Sequence, residues 1–302
     1  MQLSAALSSY PYTAGLLDGT IKPEGFGIDF VPVEPSIVAA FRGMMRGLEF
    51  DFAELGITSY LAGFDDSDAL TSIPVFLAGS FPFRTIHVNL NAGVECPQDL
   101  NGRRVACRTY TVTSVVWARG MLADRYGLDP DSITWVINDE EHSAGFVWPK
   151  NVEYVPGADL AGMVATGEVA AGFGVIRGEA ENVRPLFSDP EAEERRWYAA
   201  TGIFPINHSI VLKAALIDAD EGLAGRLFDY FDAGKAAFMA RLAAGIDLTP
   251  AEIALAEMRA LLGPDPVPYG IEPTRPSLEA LLRYSFEQHI TRDHLAIEDI
   301  FA

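Results

Sequence analysis

Arginine, histidine and one glutamate are the side chains here whose type and setting could bind a small anion and move a proton. Arg42 and Arg46 lie four apart on one face of a helical pattern at 36–48, Arg84 sits in SFPFRTIHVN, and Arg108 directly precedes TYTVTS. A guanidinium is a planar fork that meets a carboxylate bidentately, so each is a candidate clamp. Arg108 has a second advantage. The hydroxyls of Thr111, Thr113 and Ser114, beside Tyr110, stand where a helix begins, and free first-turn amides favour an anion. The same hydroxyls would serve as plain helix caps, and the two roles are compatible. Arg84 reads either as a clamp or as a surface arginine at a strand end, and a solvated helix face accounts for at least one of Arg42 and Arg46.

Imidazole can hold a proton near neutral pH, which makes histidine the first choice for a general acid. His208 lies in the apolar run GIFPINHSIVLK between Asn207 and Ser209. It reads as an acid or as a satisfied core histidine. His87 competes with it, and alternation along a regular strand would face His87 away from Arg84. His142 falls in an irregular stretch and reads as exposed, and His289 and His294 belong to the tail. Glu54 lies near the end of the alternating run EFDFAEL, between Ala53 and Leu55. Burial there would raise its pKa and suit it to shuttle protons, while an ion pair with Arg42 or Arg46 is the plainer alternative. Ser59 and Tyr60 fall in the next loop, and Tyr10, Tyr12 and Thr13 in the first, where ligand-facing groups are expected.

Composition narrows the classes. The 302 residues carry 22 Lys and Arg against 42 Asp and Glu, a net charge of −20 that repels phosphate backbones and anionic lipid. Neither nucleic acid nor a membrane surface is expected as a partner, and a possible homo-oligomer is left open. Cys96 and Cys107 make no disulfide framework or zinc pattern and read as reduced thiols. No HxH, HExxH or CxxC, no GxGxxG after a strand and no GxSxG occurs. No cofactor is expected, although His87, His142, His208 and Glu54 could still meet around a divalent metal. No export signal is read at MQLSAALSSYPYTAG and no membrane span anywhere, so the expected location is cytoplasmic.

The elements that must position these groups alternate between strand and helix, which predicts an α/β fold. Strands are expected at 27–33, 49–55, 132–138, 169–175 and 202–213, with helices at 36–48, 114–127 and 159–167. Residues 73–89 read as one extended crossing segment, Thr58 or Ser59 as the cap of a turn, and 140–156 as irregular. The chain is largely helical after 220, ending with a helix near 277–289. The architecture inferred is two α/β lobes, with residues 1–85 and 203–302 forming the first and 86–202 inserted as the second. The stretches 80–89 and 202–209 are the crossovers, and the ligand cleft lies between the lobes.

Several longer blocks are more specific than this pattern. LLDGTIKPEGFGIDFVPV, FRGMMRGLEFDFAELGITSYL, the VN..AGV..PQDLNGRRVA stretch, VWARGMLADRYGLDP, GIFPINHSIVLK and PYGIEPTRPSLEALLRYSFEQHIT run in order along nearly the whole chain. Together they resemble the 4,5-dihydroxyphthalate decarboxylase family, whose fold is that of type 2 periplasmic binding proteins. The resemblance implies non-oxidative loss of CO2 from a small aromatic dicarboxylate to give protocatechuate. That chemistry needs a carboxylate clamp and a proton donor, for which Arg84 and Arg108, with Arg42 beside them, and His208 are the expected residues. Glu54 would accept a phenol proton or shuttle one. Tyr12, Thr13, Ser59, Tyr60, Tyr110, Thr113 and Asn207 would line the substrate. Fold alone would equally allow a binding protein for a small organic anion, or another lyase. The stretch 139–150, DEEHSAGFVWPK, matches no family pattern.

Overall fold

The computed structural model describes residues 1–34, 36–245 and 247–302. Strands β1 (Gln2–Ala6), β2 (Gly27–Phe30), β3 (Phe52–Gly56) and β4 (Leu70–Gly79) open the chain. They are followed by β5 (Ile86–Asn89), β6 (Arg104–Ala106), β7 (Thr134–Ile137), β8 (Val152–Tyr154), β9 (Ala171–Phe173) and β10 (Val183–Pro185). A last strand, β11 (Ile206–Lys213), returns to the beginning. The first sheet has the order β2-β1-β3-β11-β4 and the second β10-β5-β9-β6-β7-β8, so every strand of the second lies between β4 and β11 in sequence. Two lobes follow, one inserted into the other. The returning strands run against their neighbours: β11 is antiparallel to both β3 and β4, and β5 to both β9 and β10.

Helices cover the sheets: α1 (Ala14–Leu17), α2 (Val38–Gly47), α3 (Ile57–Phe64), α4 (Thr113–Tyr126), α5 (Leu160–Thr166), α6 (Pro190–Thr201), α7 (Ala214–Ala219), α8 (Leu223–Ala244), α9 (Pro250–Leu262), α10 (Ile271–Glu287) and α11 (Ile297–Ile300). Gly127 ends α4 in the left-handed region at φ +66°, where a side chain would be strained. No helix among the described residues is long and apolar enough to cross a membrane.

Four local expectations are corrected. Residues 73–89 are not one extended segment: the turn Phe83–Thr85, entered through Pro82, separates β4 from β5 and sends them to different sheets. Thr58 and Ser59 lie inside α3 rather than capping a turn. Helix α6 has no counterpart in the sequence reading, since its strongly charged surface leaves little apolar periodicity to read. Helix α10 starts at Ile271 rather than near Ser277: Pro273 falls in the first turn, whose N–H groups lack intrahelical partners, and the helix runs on through Pro276.

Helix α10 also links the lobes. α10 packs on α4, where Gly120 lies face to face with the buried ring of Tyr284. The Tyr284 hydroxyl donates to Asp124 Oδ2 at 2.5 Å, and Gln288 Nε2 donates to the Val116 carbonyl. A Cβ at position 120 would stand 2.3 Å from Tyr284 Cγ. Neither helix backbone can yield cheaply, so Gly120→Ala is expected to destabilise the protein by about 2 kcal/mol through overpacking. Urea denaturation measures this, and a loss below roughly 0.5 kcal/mol would mean that the junction is loose.

Candidate active site

The deepest charged group of the first lobe is Glu54 on β3, which has no exposed surface. An ionised carboxylate there requires donors, and three reach it. Ser8 N donates to Oε2 at 2.9 Å, the Tyr10 hydroxyl donates to Oε1 at 2.6 Å, and His208 Nδ1 meets Oε1 at 2.6 Å. Thr13 shapes the loop that delivers the first two: its hydroxyl accepts from Tyr10 N and donates to the Ser8 carbonyl. Burial works against the charge of Glu54, but the imidazole, the phenol and the amide together hold its pKa below the ordinary carboxylate value. The sequence-based expectation of a raised pKa is therefore corrected, and so is the alternative of an ion pair with Arg42 or Arg46. With Glu54 ionised, His208 Nδ1 must be the donor. That leaves Nε2 as the free nitrogen of a side chain still 23% exposed.

His208 owes its place to a kink. The β11–β4 pairing shifts register on both sides of it, an irregularity of the kind that re-aims a side chain. On the other side it pairs with Gly56, and this glycine leaves the space where the lobes meet. A Cβ there would stand 3.2 Å from Ser59 Oγ and 3.4 Å from both Phe41 Cε2 and Thr113 Oγ1. Helices α3 and α4 begin at this point, one from each lobe, and Thr58 Oγ1 and Thr113 Oγ1 share a hydrogen bond of 2.8 Å between them. Phe41 presents its ring edge-to-face to His208 on one side and to His142 on the other.

His142 is buried, not exposed as expected, and its Nδ1 lies 2.9 Å from Ser59 Oγ. It is carried in by residues 139–142, which the arginines of α2 strap down. Arg46 donates to the carbonyls of Glu141 and His142 and to the Glu140 carboxylate. Arg42, from the first lobe, and Arg108, from the second, grip opposite oxygens of Asp139, at 3.2 and 3.0 Å. At TYTVTS the amides that meet an anion are those of Tyr110 and Thr111, ahead of the first turn of α4, and the anion is the protein's own Glu141. Glu141 accepts from Tyr110 N, Thr111 N, the Thr111 hydroxyl and Trp148 Nε1. Behind it the buried Arg119 donates to the Tyr110 carbonyl, so a single peptide group links a buried cation to a buried anion. Charge complementarity between Arg42/Arg46 and the acidic run at 139–141 was the available signal for this contact. Sequence patterns gave none for Glu141 with Tyr110.

Other expected site residues lie elsewhere. Arg84 is a correction: it forks Glu194 of α6 and also pairs Glu191, with its side chain 56% exposed. Tyr60 points into the core and donates to the Ile300 carbonyl, and the Tyr110 side chain lies beneath Arg119 and donates to the Gln288 carbonyl. Tyr12 stacks under Tyr10 and donates to the Leu77 carbonyl, so it braces the loop from behind. Asn207 donates to Ser80 Oγ and joins the two crossovers. His87 faces the 176–185 segment of the second lobe. The structure thus brings together Glu54, His208, Thr13, Ser59, Thr113, Arg42 and Arg108, and adds Tyr10, Phe41, Asp139 and His142. Among the described residues, no group of three or more His, Cys, Asp or Glu side chains is placed to hold a metal ion.

No protein-family model matches the chain. The 4,5-dihydroxyphthalate decarboxylase of Comamonas testosteroni is 27% identical over 323 aligned residues, covering all of this chain and 96% of that protein. The protein of the same name from Pseudomonas putida is 28% identical over 218 residues, covering 66% of this chain and 82% of that one. The family resemblance read from the sequence blocks is therefore borne out along the whole chain. In fold, the periplasmic aliphatic sulphonate binding protein of Escherichia coli superposes with a TM-score of 0.56 at 15% identity, covering all of this chain and 92% of that one. The alkanesulfonate-binding protein of Xanthomonas axonopodis pv. citri, bound to MOPS, gives 0.54 at 14% identity, covering all of this chain and 98% of that one. The fold is that of the periplasmic binding proteins.

The buried imidazole of His142 gives a pH signature. Burial, then the neighbouring Arg108 and Arg42, push its pKa down from 6.5 to about 4. The unfolded chain therefore binds the extra proton first, and the stability this site contributes is present above pH 6.5 and lost as the pH falls toward 4. The loss is at most about 3 kcal/mol. Glu54 acts in the same direction but in the window below its ordinary carboxylate value. Urea denaturation from pH 7 to 4 should give a flatter stability slope for His142→Gln than for the wild type, and equal slopes would exclude a neutral buried imidazole.

Proposed function

We propose that this chain, similar along its length to a 4,5-dihydroxyphthalate decarboxylase, is a carboxy-lyase that removes CO2 from an aromatic dicarboxylate, 4,5-dihydroxyphthalate being the first choice. The observation that carries the reading is the partly exposed His208 held by the wholly buried carboxylate of Glu54, at the meeting point of two lobes. Arg108 and Arg42 hold the carboxylate that is retained. The carboxylate that leaves is attached to a ring carbon para to a hydroxyl, whose electrons raise the basicity of that carbon. His208 Nε2 delivers its proton there, and aromaticity is interrupted. The carbon–carboxylate bond then breaks, its electron pair restores the ring, and CO2 departs with protocatechuate left behind. Solvent returns a proton to Nε2, while Glu54 keeps Nδ1 protonated and the ring oriented throughout.

No cofactor has a role in this scheme. A binding protein for a small organic anion is the second reading, and the fold shared with the sulphonate-binding proteins favours it. Incubation with 4,5-dihydroxyphthalate, with and without a chelator, separates the two by the appearance of protocatechuate. Turnover that survives the chelator is expected. Ligand-induced stabilisation without product would favour the binder. His208→Asn should lower kcat by about 10²- to 10⁴-fold, the usual worth of a positioned acid, while changing the affinity for unreactive phthalate by no more than roughly threefold. Undiminished turnover in that variant would remove His208 from the mechanism.

A further inference from the structure

The loop at 139–142 and the arginines that hold it can be separated into two parts. Glu141 is buried and fully partnered, and it anchors the loop to the second lobe. Asp139 is different. Its side chain is 40% exposed, and both of its carboxylate oxygens are taken up by guanidiniums that are themselves about as exposed. One of those comes from α2 of the first lobe and the other from the loop before α4 of the second. Burial opposes its charge, but Glu140 N, Arg42 and Arg108 keep its carboxyl below the ordinary range, so it is an anion bound by two cations.

Half-solvated ion pairs also cross the lobe junction at Arg46–Glu140 and Arg283–Asp124, each with one guanidinium on its carboxylate, and the remaining contacts are of another kind. α10 is packed on α4 through Gly120 and Tyr284, Trp117 Nε1 donates to the Ile206 carbonyl, and the Tyr110 hydroxyl donates to the Gln288 carbonyl. These contacts are buried, and breaking them costs packing as well as hydrogen bonds. The Asp139 bridge is half-solvated, and pairs of that kind contribute little net stability. A carboxylate arriving from solution could therefore take over both guanidiniums at small cost.

We infer that Asp139 is an internal stand-in for the substrate's retained carboxylate: it occupies the Arg42–Arg108 site and is displaced when a dicarboxylate binds. This rests on the proposed role of the two arginines as a carboxylate clamp. It makes Asp139 a residue that sets affinity by competition and ties ligand arrival to release of the strap between the lobes. Removing its charge leaves two cations uncompensated, so binding must tighten, whereas a residue that merely oriented the arginines would weaken binding when removed.

The test is calorimetric titration of the full chain with phthalate, which has the two carboxylates but no hydroxyls to drive the reaction. Asp139→Asn is expected to bind phthalate about tenfold more tightly than the wild type, and adding Arg108→Gln should abolish the gain. Equal, weaker or undetectable binding in Asp139→Asn overturns the inference. Amide exchange in the wild type supplies a reading that needs no variant. Saturating phthalate should speed exchange at 139–142 as Asp139 is freed, and slower exchange there would contradict displacement. Tightened binding without any turnover of 4,5-dihydroxyphthalate would leave this inference standing and remove the decarboxylase reading. Turnover with unchanged affinity would do the reverse.

Discussion

A carboxylate with no exposed surface in the middle of a sheet is the constraint around which the first lobe is arranged. Glu54 could not remain charged on β3 without donors, and none of the strands beside it supplies one from its own side chains except at His208. The loop at 7–13 therefore folds so that an amide and a phenol point inward, with Thr13 stitching it closed and Tyr12 stacked beneath. The return strand β11 brings the third donor and breaks its register to do so. Local conformation, sheet irregularity and proton chemistry have one cause here. An unpaired buried carboxylate would be several times more costly than the distortions that satisfy it.

The second lobe solves a similar problem in another way. Its buried carboxylate, Glu141, is satisfied by backbone amides and a hydroxyl, and its charge is opposed by Arg119 across one peptide group. Arg119 keeps two further nitrogens, Nε and Nη1, without protein partners, so its attraction to Glu141 and the ring of Tyr110 must offset that loss. The consequence is a rigid base for the 139–142 loop, from which His142 is pushed across the junction to Ser59. At this point one imidazole from each lobe packs in T-shaped contact with the ring of Phe41.

Sequence was informative where chemistry and periodicity coincide. GIDF, the helix at 38–47 and the run at 49–55 that contains Glu54 carry their own hydrophobic patterns, and the two-lobed order follows from their alternation. His208 and Glu54 could be singled out because a polar group within an apolar run has to be satisfied or used. Arg84 was misread because the partner that engages it lies on α6, a helix without an apolar stripe to reveal it. His142 was misread because an irregular segment has no period, and its burial depends on Arg46 and Glu141, contacts between residues more than 90 positions apart or in a neighbouring loop. Long-range satisfaction of charge is invisible to a local window, and the errors are concentrated there.

The division of labour between the lobes bears on how a binding fold could carry chemistry. A protein that only holds an anion needs donors that converge on it, and helix starts with a pair of arginines suffice. Bond cleavage with proton delivery needs one further element, a group that can give up a proton at a fixed place and recover it. Under the proposed reading that element is His208, on the return strand of the first lobe, while Arg108 and the loop carrying Asp139 belong to the second. Under the proposed reading the proton and the clamped carboxylate are therefore correctly spaced only when the lobes are together. The same arginines that draw the lobes onto Asp139 would draw them onto a substrate. Ligand exchange at that site would then replace one bridge by another of equal charge, and the geometry around His208 would not have to be rebuilt in each cycle.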